Sequence, residues 1–166
     1  SSGVTKQNSY EVFPETFYAG VINRNSLPFE TNPNFTFLEN LLIHSIEETL
    51  KAVPQLNNNR LVLILSTTKG NIDLLNKQYT SDIDTSALFL PQLAERINQY
   101  FHFPHSPVVI SNACISGVSA ILTGKKLIAA GLYDHAVVAG VDIVTEFVLT
   151  GFHSFMALSD QPCKPY

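Results

Sequence analysis

The stretch Ser111–Ala120, SNACISGVSA, decides how the rest of this sequence is read. Cys114 stands between an apolar run, PVVIS (107–111), and a small-residue run that continues as ILTGKKLIAAG (121–131). The apolar run has strand length. From Cys114 to about Ala130 the spacing is helical, and Gly131 suits a left-handed C-terminal cap. Cys114 is therefore expected where a strand ends and a helix opens. A helix N-terminus carries partial positive charge and free N–H groups, which favour a thiolate and whatever binds it. The N–H of Cys114 itself is a candidate oxyanion donor. Ala113, Ser116, Gly117, Ser119 and Ala120 are small enough to let a backbone or an acyl chain approach the turn. This is the logic of a nucleophile elbow, although the G-x-S-x-G spacing of hydrolases is absent. The competing reading is an inert packing thiol, a common role for free cysteine.

Working outward, LVLILS (61–66) is a continuous apolar run, as in a parallel strand buried on both faces. HAVVAGVD (135–142) reads as a third strand. Helical periodicity marks FLENLLIHSIEETLKAV (37–53), with Leu38, Leu42, Ile46 and Leu50 on one side, and LFLPQLAERINQYF (88–101). GFHSFMALS (151–159) reads as a short helix. Residues 1–36 are rich in Asn, Ser, Pro and aromatics and predict turns with one or two short extended pieces. The alternation of helix and strand predicts an α/β fold, a mostly parallel sheet with flanking helices and right-handed crossovers. In such sheets function concentrates at the carboxyl ends of the strands, where Cys114 falls.

Composition narrows the function classes. The 166 residues are enough for one domain with a core. Charged residues make up 14%, against about 25% in a typical soluble domain, so much surface is expected to meet a partner or another domain. A net charge of -4 without a Lys/Arg block argues against nucleic-acid binding. No apolar run approaches the roughly 18 residues of a membrane span, and the opening SSGVTKQNSYEV is not a signal peptide. Two cysteines, Cys114 and Cys163, form neither a CxxC pair nor a zinc pattern, which points to a reduced, cytoplasmic protein without a metal site. Cys163 lacks the setting of Cys114 and reads as structural or incidental.

With these pieces in order, residues 108–159 resemble the beta-ketoacyl synthases, condensing enzymes of fatty-acid and polyketide synthesis with a thiolase-like fold. The matching pieces are NACISGVSAI (112–121), AGLYDHAVVAGVD (130–142), GFHSFMALS (151–159) and QPCKPY (161–166). Upstream, LILSTTKGNIDLL (63–75) is similar to a family strand–loop segment, whereas the first 36 residues match poorly. Lys164 stands where the family usually has Arg. The resemblance implies one domain over residues 1–166, the N-terminal half of a two-half fold whose C-terminal half lies outside this chain. It implies that Cys114 is the acyl-accepting nucleophile and makes Ile115 and Phe152 the candidates to line the substrate pocket, with the dimer interface as the other reading of Ile115 and a core aromatic as the other reading of Phe152. It implies no cofactor, an acyl carrier protein as partner, and a homodimer paired through the strand before Cys114. In the family, two His, or His and Asn, serve decarboxylation from the second half. The isolated chain is therefore expected to be inactive.

Other residues have plainer readings. His44 is expected on a solvated helix face, His102, His105 and His135 at the amino ends of strands, and His153 near the pocket at a variable family position. Asp142 is expected to cap the turn that follows it. Lys69–Gly70 in STTKGN lacks Walker spacing and reads as a strand-end turn. Lys125–Lys126 reads as a solvated helix face. The alternatives are a thiolase-type acyltransferase using coenzyme A, a ketosynthase-like partner subunit without catalysis, and a structural domain with a buried thiol.

Overall fold

The computed structural model describes residues 5–7, 17–20, 22, 27–56, 58–75, 85–159 and 161–162. Cys163 and Lys164 lie outside them. The strands are β1 (Thr5–Gln7), β2 (Phe17–Ala19), β3 (Leu61–Ser66), β4 (Val108–Ile110) and β5 (His135–Gly140). The helices are α1 (Phe37–Lys51), α2 (Leu90–Tyr100), α3 (Ser116–Ala129) and α4 (Glu146–Ser154). β1 and β2 pair antiparallel, with Thr5 opposite Ala19. The main sheet is parallel, in the order β4-β3-β5.

β3 is central, and all six of its residues are buried. Strand side chains alternate between faces, so β3 sorts the helices into two layers. Leu61, Leu63 and Leu65 pack with Leu38, Leu42 and Ile46 of α1 and Leu93 and Ile97 of α2. Val62 and Ile64 face the other way, against Ala120 of α3. At about 25 cal/mol per Å² of apolar surface, the complete burial of residues 61–65 makes this doubly covered strand a main source of stability. α3 approaches it closely because position 124 is glycine. A Cβ there would stand 3.3 Å from Ala136 Cβ and 3.3 Å from Ile64 Cδ1.

α1 starts at a capping box. The Thr36 hydroxyl accepts from Glu39 N (3.1 Å), and Thr36 N donates to Glu39 Oε2 (2.9 Å). Glu39 is fully buried, yet it also receives Arg96 Nε at 2.9 Å and Arg96 Nη2 at 3.1 Å. Thr36 Oγ1 donates to Asn71 Oδ1 (2.7 Å), and Asn71 Nδ2 donates to the Ala87 carbonyl (3.0 Å). One carboxylate thus ties α1 to α2, and its cap residue carries the tie on to the loop after β3.

Three expectations change. α4 begins at Glu146 rather than Gly151, because Thr145 caps it by accepting from Val148 N (3.3 Å). It ends at Ser154, so residues 155–159 are not helical. Residues Ala113–Ile115 form a single 3-10 turn, and α3 proper starts at Ser116. Phe17 of β2 is buried against Leu149 of α4, which brings the N-terminal region onto the last helix.

Two substitutions test this architecture. Glu39→Gln removes the charge that Arg96 meets. Because Arg96 keeps 41% of its side chain in water, the expected loss is about 2–3 kcal/mol, below the full cost of breaking a buried pair. Gly124→Leu overpacks the α3–sheet contact and is expected to cost about 2–3 kcal/mol. Urea unfolding followed by circular dichroism reads both.

Candidate active site

Because β3, β4 and β5 are parallel, their carboxyl ends, Ser66, Ile110 and Gly140, open on the same side of the sheet. The segments leaving those ends enclose a cavity of about 580 Å³, within the usual size range of ligand sites. Ser66, Thr68 and Lys69 come from the β3 exit. Ala113, Cys114, Ser116 and Gly117 come from the turn after β4. Gly140, Val141 and Asp142 come from the β5 exit, and Ile143, Val144, Val148 and Phe152 close the apolar wall towards α4.

Cys114 is exposed on this wall rather than packed in the core. Ala113, just before it, has φ +44°, a left-handed conformation that costs a residue with a Cβ roughly 1–2 kcal/mol. Ser116 holds the turn in place. Its hydroxyl accepts from Asn112 N (2.7 Å) and donates to the Ala113 carbonyl (2.7 Å). The Ile115 N–H closes the same turn on the Asn112 carbonyl (3.2 Å). Among the described residues, no backbone carbonyl takes the N–H of Cys114. The sulfur and this N–H therefore sit together on a corner set by its neighbours.

The β3 exit is clamped to the β5 exit by Asp142. Its Oδ1 accepts from Thr67 Oγ1 (2.9 Å), Thr68 N (3.1 Å) and Lys69 N (3.2 Å). Its Oδ2 accepts from Thr68 Oγ1 (3.3 Å). Asp142 thus caps the turn after β3, more than seventy residues upstream, and not the turn that follows it. Thr67 Oγ1 also accepts from Gly70 N (3.0 Å), and Gly70 takes a left-handed φ of +53°. STTKGN is a strand-end turn, as its sequence implies, and it carries Lys69 into the cavity wall.

Cys114 and Phe152 line one cavity, whereas Ile115 is outside its lining. Ile115 is 58% exposed and continues, at helical spacing, into Val118 and Leu122 on the outer stripe of α3. No histidine lines the cavity among the described residues. His44 stacks on Phe29 at 4.1 Å between ring centroids, so it is not simply solvated. His105 contacts the Asn59 carbonyl at 3.1 Å, and His135 opens β5 opposite Leu61; both lie at the far end of the sheet. His153 is exposed on α4. Lys125 and Lys126 are exposed on α3. Sequence reasoning missed Ser116 as the residue that fixes the turn, although a serine two places after the cysteine was visible. It also missed the Asp142 clamp, whose partners are remote in sequence.

No helix among the described residues is long and apolar enough to cross a membrane. No curated protein sequence matches the chain. Among solved structures, a chain from the complex of a ketosynthase (ApeO) with its chain length factor (ApeC) from Xenorhabdus doucetiae is similar, with a TM-score of 0.76 and 21% identity. The match covers 99% of this chain and 45% of that one, so this chain spans less than half the length of its neighbour. The shared architecture is the α/β, N-terminal half of a thiolase-like fold. A family model described as beta-ketoacyl synthase, N-terminal domain, matches residues 58–166, more than half of the chain and all three strands of the parallel sheet. The chain therefore belongs to the beta-ketoacyl synthase family, whose N-terminal domain it carries.

Proposed function

We propose that this chain is the nucleophile-bearing half of a cytoplasmic beta-ketoacyl-[acyl carrier protein] synthase, with Cys114 as the catalytic residue. The observation that carries this reading is the position of Cys114, exposed on a strained strand–turn–helix corner at the carboxyl end of the sheet and facing a cavity.

The proposed reaction has three steps. The Cys114 sulfur attacks the carbonyl carbon of an acyl thioester on an acyl carrier protein, and the carrier thiol leaves with a proton. A malonyl thioester then binds and loses carbon dioxide, leaving an enolate. The enolate carbon attacks the acyl-Cys114 carbonyl, and the Cys114 thiolate leaves, releasing a beta-ketoacyl product. The Cys114 N–H is one donor to the tetrahedral oxyanion. Ser116 positions the turn, and Phe152 with Val144 and Val148 gives the acyl chain an apolar wall. We place the groups that assist decarboxylation in a second half of the fold, in keeping with a cavity lining that holds no histidine among the described residues.

Exposed apolar surface supports that need for further protein. Val118 is 63% and Ile121 61% exposed on α3, and Phe147 and Phe155 are exposed on and beside α4. β4 is an edge strand, and we propose that it pairs with the same strand of a second copy. The similar ketosynthase is in complex with a chain length factor, so a ketosynthase-like partner is the alternative occupant of that edge. Cys114 favours the catalytic role for this chain over that of a non-catalytic partner subunit.

Two measurements test the reading. Brief exposure to iodoacetamide or cerulenin, followed by intact mass and peptide mapping, is expected to give one adduct on Cys114, formed faster than on a small free thiol. Preferential labelling of Cys163 would count against it. Ser116→Ala removes both side-chain bonds that hold the turn. It is expected to lower stability by about 1–2 kcal/mol in urea unfolding and to bring the Cys114 labelling rate down to that of a free thiol.

A further inference from the structure

Two charged side chains line the Cys114 cavity, Lys69 and Asp142. They do different work. The Asp142 carboxylate is engaged by four donors of the β3 exit: the Thr67 and Thr68 hydroxyls and the Thr68 and Lys69 amides. The Lys69 backbone is thereby held to the β5 exit. Among the described residues, the Lys69 ammonium is bonded to the Thr68 hydroxyl, at 3.3 Å, and no carboxylate pairs with it. Half-buried in an otherwise mostly apolar and neutral wall, it keeps donors available for a ligand.

We infer that Lys69 is a specificity-determining residue of the Cys114 site, recruiting reactants that carry a free carboxylate beside their reactive carbon. This rests on the reading of Cys114 as the nucleophile. The malonyl thioester of the proposed reaction is such a reactant, and the new element is the side chain that meets its carboxylate. Lys69 acts on it by charge and hydrogen bonding, in a cleft where low-dielectric walls strengthen both. Asp142 is the positioning residue, because its bond to the Lys69 amide fixes where the side chain leaves the backbone.

Two alkylating reagents of nearly equal size separate charge recruitment from thiol reactivity. Iodoacetate is anionic and iodoacetamide is neutral. With either, the Cys114 thiolate attacks the CH₂ carbon, an S–C bond forms, and iodide leaves with the electrons of the C–I bond. The quantity read is the ratio of the two second-order rates on Cys114, taken on the whole 166-residue chain by peptide mapping. A neutral free-thiol compound gives the reference ratio.

The wild-type ratio is expected to exceed the reference about fivefold at low salt, as for one nearby unit charge, and to fall towards it at high salt. Lys69→Met is expected to abolish the excess, and Lys69→Arg to retain it. Lys126→Met, on an exposed part of α3, is expected to leave it unchanged. A wild-type ratio at or below the reference overturns the inference, since Asp142 then dominates the local field. So does a ratio that Lys69→Met leaves intact. The salt dependence of the wild-type chain decides the matter even if a variant fails to fold. Failure of the nucleophile reading looks different: both reagents label Cys114 slowly, while the ratio remains measurable.

Discussion

The structure depends on one strand whose residues 61–65 are shut off from water. β3 is buried at every position, flanked by β4 and β5 through parallel hydrogen bonding and covered above and below by helices. A strand in this position must be apolar on both faces, and LVLILS is. Its odd residues collect α1 and α2, and its even residues collect α3. Parallel pairing then puts three carboxyl ends on one side, where connecting segments must turn sharply. The cavity follows from that constraint and needs no separate design.

At this end, polar groups set what the core cannot. The turn after β4 holds a left-handed Ala113, and the Ser116 hydroxyl takes up the Asn112 N–H and adds a second bond to the Ala113 carbonyl, which also accepts the Ser116 N–H. The turn after β3 is held by Asp142 from a neighbouring strand. Both devices use side-chain hydrogen bonds to hold the backbone of tight turns that line the cavity. Cys114 and Lys69 are carried by these two turns, so their positions are set by residues that do no chemistry themselves.

On the opposite side of the cavity, apolar surface accumulates. The outer stripe of α3 and the residues beside the end of α4 leave Val118, Ile121 and Phe155 open to solvent. Such surface is what the proposed second half of the fold or a partner chain would cover. The low charged fraction of 14% is the compositional trace of the same surface.

By itself, the sequence determined what depends on local pattern. The continuous run at 61–66 is β3 residue for residue, and the strands expected at 107–111 and 135–142 appear as Val108–Ile110 and His135–Gly140. The helix expected at 37–53 is Phe37–Lys51, and Gly131 has the left-handed φ its place required. These are legible because periodicity and backbone freedom act over a few residues. The start of α4 was legible too, in Thr145 followed by Glu146, but the apolar spacing further on was the louder signal. What only the tertiary structure decided are the contacts between distant segments. Asp142 clamps Thr67–Lys69, Glu39 meets Arg96, Ile115 lies outside the lining of the cavity that Cys114 and Phe152 share, and Phe17 packs on α4. Their physical reason is common: each partner is chosen by which strand ends and helix faces meet after folding, and no local pattern records that choice.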